Sequence, residues 1–351
     1  YINGDPLIPG TAAPSDAIVG FNYRDAGYGS NSGRPGASGP PHDILAVASQ
    51  VGSVYGMAYS KQAQKFFTSA FLKRHSGFGP AGGGAIYMLD PNNINLSGNL
   101  LFLDLDELGF PTSDEANPYV DAKISYNVVG FSPVIGSNSD RDLPGNKALT
   151  NADPAAYGQV GKLSFGDLEI SEDGRYLWVV NLYDRKLYSI DLVDPFNPQA
   201  PTLANAATRI KSYDIPDPCT TAASGEYRPF GLKIKRGRVF VGIVCSAESA
   251  TGTVVGTRND MTGSVYAFDI ASEAFAATPE LVFNFGYRTN WNPWRSSWLG
   301  GSFNEQGAPM ISDIEFDAEG NMLLGIRDRR GDQFGYENAD IEGNCCYNDA
   351  T

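Results

Sequence analysis

Apolar and polar positions alternate with a period of two through most of this chain, and the alternating runs come in groups of four. Residues Asp167 to Ile215 read DLEIS, a Glu-Asp-Gly turn, RYLWVVNLYDRKLYSIDL with a turn at its centre, and, after a linker, RIKSYDI. From Pro229 the scheme returns as PFGLKIK, RVFVGIVCSAE, GSVYAFDI and ELVFNFGY. An earlier copy runs YGMAYSKQAQKFFTSAFLK, a glycine-rich loop, GGAIYMLDP and NLLFLDLDEL; a later one opens with ISDIEFDAEGNMLLGIRD and gives way to Gly, Asn and Asp. A period of two puts successive side chains on opposite faces of a strand. Each copy therefore predicts four antiparallel strands, with the Gly or Asn of the first turn supplying the positive φ of a tight hairpin. One such sheet cannot cover its own apolar faces, whereas several stacked around an axis can. The expected fold is all-β, a β-propeller of four-stranded antiparallel blades.

The N-terminal stretch DAIVGFNYRD lines up with the third strands of the other copies, and DILAVASQ stands where a fourth strand would. The chain thus enters in mid-blade, which predicts ring closure by pairing these strands with the first two strands of the last blade. The predicted segments of the single domain are 1–50 (closing strands), 51–118 (blade), 119–165 (insert or irregular blade, with AKISYNVVGFSPVIG), 166–216 and 217–288 (blades), and 289–351 (a tryptophan-rich loop and the start of the last blade). If the two half-blades pair directly the ring has four blades; otherwise the chain is a partial view of a larger propeller that continues past Thr351.

The loop FLKRHSGFGPAGGGAIYMLDP invites a phosphate-binding reading, and its order rejects it. Lys73 precedes the glycines, no Gly-Lys-Ser/Thr follows, and AIYML alternates like a strand where a helix would have to open. It is expected instead to be the connection between two strands, folded over a propeller face, with His75 as one of its residues.

Composition narrows the setting. The chain has 351 residues with 40 Asp plus Glu against 26 Lys plus Arg, a net charge of −14, which disfavours unspecific binding to nucleic acid or anionic membrane. No run reaches the roughly 18 apolar residues of a membrane-spanning helix. Forty glycines and 22 prolines fit a turn-rich protein of extracellular type. The first residue is Tyr1, so nothing about export follows from the start of the chain. Of the four cysteines, Cys219 and Cys245 flank a predicted strand and are expected to form a disulfide; Cys345 and Cys346 are adjacent and rarely would bridge each other.

The phrases VGSVYGMAYSKQAQKFFTSAFLKRHSGFGPAGGGAIY, GDLEISEDGRYLWVVNLYDRKLYSIDL, YRPFGLKIKRGRVFVGIVCSAE and DIEFDAEGNMLLGIRDRRGDQFGY resemble the N-terminal propeller-like region of large bacterial secreted or surface proteins. Those proteins often carry SdrD B-like (Cna-B type) domains, which this chain lacks. The resemblance implies a bigger protein, export and display at the cell exterior, and it brings no catalytic residues with it.

The inventory for catalysis is thin. Two histidines, His42 and His75, starve a histidine-based triad or a multi-histidine metal site. Carboxylate chemistry needs only two acids about 5 to 10 Å apart. Asp167 and Glu169 in GDLEIS, and Asp313 and Glu315 in SDIEFD, sit on predicted innermost strands and share a side by alternation. They form either a channel-lining acidic ring or carboxylates paired with backbone and with Arg228 and Lys233. The loop YRTNWNPWRSSWLGG holds Trp291, Trp294 and Trp298 beside Arg295, a candidate binding surface for a protein or glycan, or else a packed plug. Acidic turns such as DLDEL and NSDRDLPGN could hold calcium, though none matches a known calcium loop. The expectation is a non-catalytic, exported structural or adhesive module, with His75 and the tryptophan loop on its working face. The alternatives are a secreted carbohydrate-active or lactone-type enzyme working from the channel carboxylates, and a subunit of an extracellular polymer formed by self-assembly.

Overall fold

Where the sequence alternates the chain is extended, and short turns return each strand antiparallel to the one before it. The computed structural model describes residues 3–25, 42–113, 138, 141–298, 307–335 and 338–344. β1 (Asp16–Gly20) pairs with β2 (Asp43–Val47). β3 (Val54–Ser60), β4 (Lys65–Ala70), β5 (Ala85–Leu89) and β6 (Leu101–Asp104) form a four-stranded sheet in chain order. β7 (Phe165–Ile170), β8 (Tyr176–Asn181), β9 (Lys186–Asp191) and β10 (Ile210–Asp214) form the next. In the third, β11 (Tyr227–Lys235), β12 (Arg238–Cys245) and β13 (Thr262–Asp269) are joined on the outer edge of β13 by β14 (Ala274–Phe275) and β15 (Leu281–Asn284). β16 (Pro309–Phe316) pairs with β17 (Met322–Asp328). The fold is all-β, built of antiparallel sheets. The insert AKISYNVVGFSPVIG and the Cys345–Cys346 pair lie outside the described residues.

The first strands β3, β7, β11 and β16 share a device. Each shifts register by one residue against its neighbour, at Val54/Met57, Phe165/Leu168, Pro229/Leu232 and Ile311/Asp313. Such a bulge bends and twists the strand locally. In three of them the bulge holds a glycine that the next sheet presses against. A Cβ on Gly56 would lie 2.9 Å from the Leu168 nitrogen, one on Gly166 2.7 Å from the Phe230 oxygen, and one on Gly231 2.8 Å from the Ile311 oxygen. The inner strands of successive sheets therefore approach backbone to backbone, which only glycine permits.

Apolar side chains fill the spaces between sheets. Trp178, Val180 and Leu187 of the second sheet meet Phe230, Leu232, Val241 and Phe268 of the third in one cluster. Ala58, Phe67 and Ile86 of the first meet Phe165, Leu168 and Val179 in another. Each large side chain fully removed from water contributes about 1.5–3 kcal/mol.

Two expectations are corrected here. Of the two alternatives for the half-blades, direct pairing is not met among the described residues: β1–β2 and β16–β17 are separate two-stranded sheets. The two pairs lie at opposite ends of the order, since β1–β2 packs on the first four-stranded sheet and β16–β17 on the third. The glycine-rich loop, moreover, does not cover an outer face but runs through the interior. Arg74 and His75 have no exposed surface, and Phe78 is 5% exposed. Arg74 donates to the carbonyls of Asp153 (3.2 Å), Gln333 (2.9 Å) and Ala339 (2.9 Å), tying its loop to two segments far away in the chain. A buried guanidinium carries five donors and must spend them on such acceptors.

Candidate functional site

Alternation along the inner strands sends one set of side chains toward a common space. Tyr55, Met57 and Tyr59 of β3, Asp167 and Glu169 of β7, Lys233 of β11, and Asp313 and Glu315 of β16 line a cavity of about 400 Å³. The four carboxylates singled out in the sequence are thus brought together, by strands whose glycine contacts set the spacing between them.

Three of them have partners within the protein, and the fourth, Asp313, is exposed. The Lys233 ammonium lies 2.8 Å from a Glu169 oxygen and 2.7 Å from a Glu315 oxygen, bridging the two acids. Burial alone would lower the lysine, yet its bonds to both glutamates hold it above the ordinary lysine range. Glu169 is raised by burial against the opposing pull of Lys233. Asp167 accepts hydrogen bonds from the Leu168 N–H at 2.9 Å and, across to the next sheet, from the Leu232 N–H at 3.2 Å. Burial, with Glu169 and Asp313 nearby, nevertheless pushes its carboxyl up to about 8. It is an acid that keeps its proton at neutral pH. Arg228, the other cation considered for these acids, faces Glu248 at 3.7 Å instead.

One end of this space is filled by rings. Tyr55 packs against Phe71 at 5.5 Å and Phe230 at 5.1 Å, and the Arg327 guanidinium lies 4.8 Å from the Tyr55 centroid. The recurrence of an aromatic followed by glycine in YGM, FGD and FGL is the sequence signal that marks three of these strands, β3, β7 and β11.

The proposed binding face is overturned by burial. Trp291 is 3% and Trp294 1% exposed. Trp294 donates from Nε1 to the Pro309 carbonyl at 2.9 Å and lies under the Arg329 guanidinium, 4.5 Å away. Trp291 meets Phe285 edge-on, and Trp298 packs against Phe334 at 5.1 Å and Tyr157 at 5.6 Å. Arg295 is half-buried, and its carbonyl accepts from Arg329 at 3.2 Å. The loop is a plug: two of its three indoles are core, and the half-buried third packs on Tyr157 and Phe334. His75 is likewise interior. Its Nδ1 meets the Asn151 Oδ1 at 2.8 Å, and burial next to Arg74 pushes it down to about 3, so it is neutral in the physiological range.

Beside the plug lies a buried charged group that the sequence did not disclose. Lys162 and Glu248 pair at 2.6 Å, and Ser296 of the tryptophan loop bonds both, at 2.9 Å each. Burial pushes Lys162 down to about 7. Cys219 and Cys245 form a disulfide, with their Cα atoms 5.5 Å apart. Among the described residues no group of three or more acidic, histidine or cysteine side chains is placed to hold a metal ion. Among them, too, no helix is long and apolar enough to cross a membrane.

No family model matches the chain. Colossin-D of Dictyostelium discoideum is 28% identical over 289 residues, covering 82% of this chain and 26% of that protein. Colossin-A of the same organism is 24% identical over 361 residues, covering 99% of this chain but 3% of its own length. Colossin-C matches at 24% over 292 residues, 25% of its length. The chain therefore spans about a quarter or less of the length of these relatives, and their names state no activity. A solved glycoside hydrolase shares 10% identity over 98% of this chain and 63% of its own, at a TM-score of 0.33, a likeness too loose to carry an argument.

Proposed function

We propose that the chain is a β-propeller module, with β3, β7, β11 and β16 as the inner strands of its blades, and that it serves a structural or adhesive role in a large exported protein. The observation that carries the reading is the Lys233 bridge. Glu169 and Glu315 spend their charge on a lysine of the same protein, whereas a catalytic pair must present its carboxylates to a substrate. The disulfide is in keeping with an oxidising compartment outside the cytosol. The length of the relatives, against which this chain is a fraction, is in keeping with a module in a longer polypeptide. Its partners would be proteins or glycans at the cell exterior, or further copies of the same protein.

A second reading has one observation in its favour: Asp167 retains a proton near neutral pH beside Asp313, the environment of a general acid. Incubation of the purified chain with polysaccharides, aryl glycosides and lactones distinguishes the two. No turnover above the blank is expected. Turnover that disappears in Asp167→Asn would replace the module with an enzyme. Protease shaving of intact source cells tests the setting; the epitope is expected to be lost, and its persistence until lysis would place the protein inside and sink the exported reading.

A further inference from the structure

The second sheet carries a pocket away from the channel. On one face of this sheet register places Trp178, Ser189 and Lys211 side by side across β8, β9 and β10. The adjoining rows of that face hold Tyr176 with Asp191, and Tyr213 with Leu187. Ser189 is the small residue in the middle, so the face is hollow between aromatic neighbours. Opposite stands the turn after β13, which contributes Ile270 and Glu273, and the space enclosed is about 170 Å³.

The walls of this hollow have two characters. Trp178 and Tyr213 stack at 6.0 Å with 22° between their planes, an extended aromatic surface anchored on Phe268. The Trp178 Nε1 is buried and has no hydrogen-bond partner among the described residues. Around it the charges are engaged: Lys211 pairs with Glu273 across the rim, Asp191 pairs with Arg175 at 3.0 Å, and the Arg209 guanidinium donates to the backbone carbonyls of Asp191 and Ala200. A charged ligand would have to break these pairs. A neutral ligand with hydroxyls can bond to both members of each.

We infer that this pocket between the second and third sheets binds a single neutral sugar ring, the terminal residue of a glycan. An apolar ring face lies against the half-buried rings of Tyr176 and Tyr213 beside the almost fully buried Trp178, and hydroxyls meet the Ser189 hydroxyl and the Lys211–Glu273 pair. The volume suits one ring and not a chain of rings, comparable to the liquid share of roughly six waters. The site stands on its own geometry, apart from the channel. Failure to bind sugar would remove this pocket and leave the turnover and shaving tests untouched.

The test uses the ¹⁵N-labelled chain, whose four tryptophans give four indole signals. Trp178→Phe assigns one of them by its loss. Methyl glycosides of neutral hexoses and N-acetylhexosamines are then titrated, with glucuronic acid and a sulfated hexose as charged probes. At least one neutral glycoside is expected to shift the Trp178 indole signal saturably in the millimolar range. Ser189→Leu, which fills the hollow, should weaken that binding at least about tenfold, or 1.4 kcal/mol. Should that variant misfold, Glu273→Gln at the exposed rim should weaken it severalfold with the spectrum otherwise preserved. An unmoved Trp178 signal throughout the panel, unchanged binding in the folded variants, or tighter binding of the charged probes would each overturn the inference.

Discussion

Replacing Asp167 by Asn should change the pH dependence of stability in a definite direction. Burial pushes the native carboxyl up to about 8, whereas in the unfolded chain it titrates near the ordinary aspartate value of 3.8. Between these values the native state holds a proton that the unfolded state has released. Stability therefore falls as pH rises through the window from about 4 to 8 and levels off above it. The ideal slope is about 1.4 kcal/mol per pH unit, or about 4 kcal/mol between pH 4.5 and 7.5. Asp167 keeps some contact with channel water, and halving the figure for that screening leaves about 2 kcal/mol. Asn does not titrate, so the variant lacks this decline. Its single acceptor serves only one of the Leu168 and Leu232 N–H groups, which lowers its stability by about 1 kcal/mol at every pH. Urea unfolding followed by tryptophan fluorescence at pH 4.5, 5.5, 6.5 and 7.5 measures both proteins. The variant should gain on the parent as pH rises, by about 2 kcal/mol across the series. Parallel curves would show that Asp167 is ionised in the folded protein and that the channel is wetter than its geometry implies.

Gly231→Ala should destabilise the fold by about 1–3 kcal/mol, read as a lower urea midpoint, because the new Cβ meets the Ile311 carbonyl at 2.8 Å; an unchanged midpoint would mean that the inner strands are not in backbone contact. Reduction, or the Cys219→Ser/Cys245→Ser double variant, should cost about 3 kcal/mol for a loop with a sequence separation of 26, visible as a lower melting temperature in the absence of reductant; equal melting would mean that the bond does not form in solution. Trp294→Ala should cost about 3–5 kcal/mol and blunt the near-ultraviolet circular dichroism, as expected for a core residue; full stability would restore the tryptophan loop as a surface element.

Much of the secondary structure was legible along the chain because alternation is a local property. The runs KLYSIDL and RIKSYDI became β9 and β10 in the predicted order, and Asp167 with Glu169 did face the same side as Asp313 with Glu315. The candidate site was legible in its acids and not in their state. Lys233 and Arg228 both stood as possible partners in the sequence; Lys233, 64 residues from Glu169 and 82 from Glu315, bridges the two, while Arg228 faces Glu248, a choice that spacing along the chain does not make.

The sequence by itself determined most of the strands and the side each carboxylate would take, since these follow from a two-residue period and from turn chemistry. Only the tertiary structure decided which loops are interior and which pairs of strands share a sheet. A run of glycines or tryptophans carries the same composition on a surface or in a core; His75, Trp291 and Trp294 became core when distant loops closed over them. The pairing of β1 with β2 alone, and the proton held by Asp167, likewise depend on segments far apart in the chain. Burial and electrostatics are set by what packs around a residue, and that is not written in its neighbours.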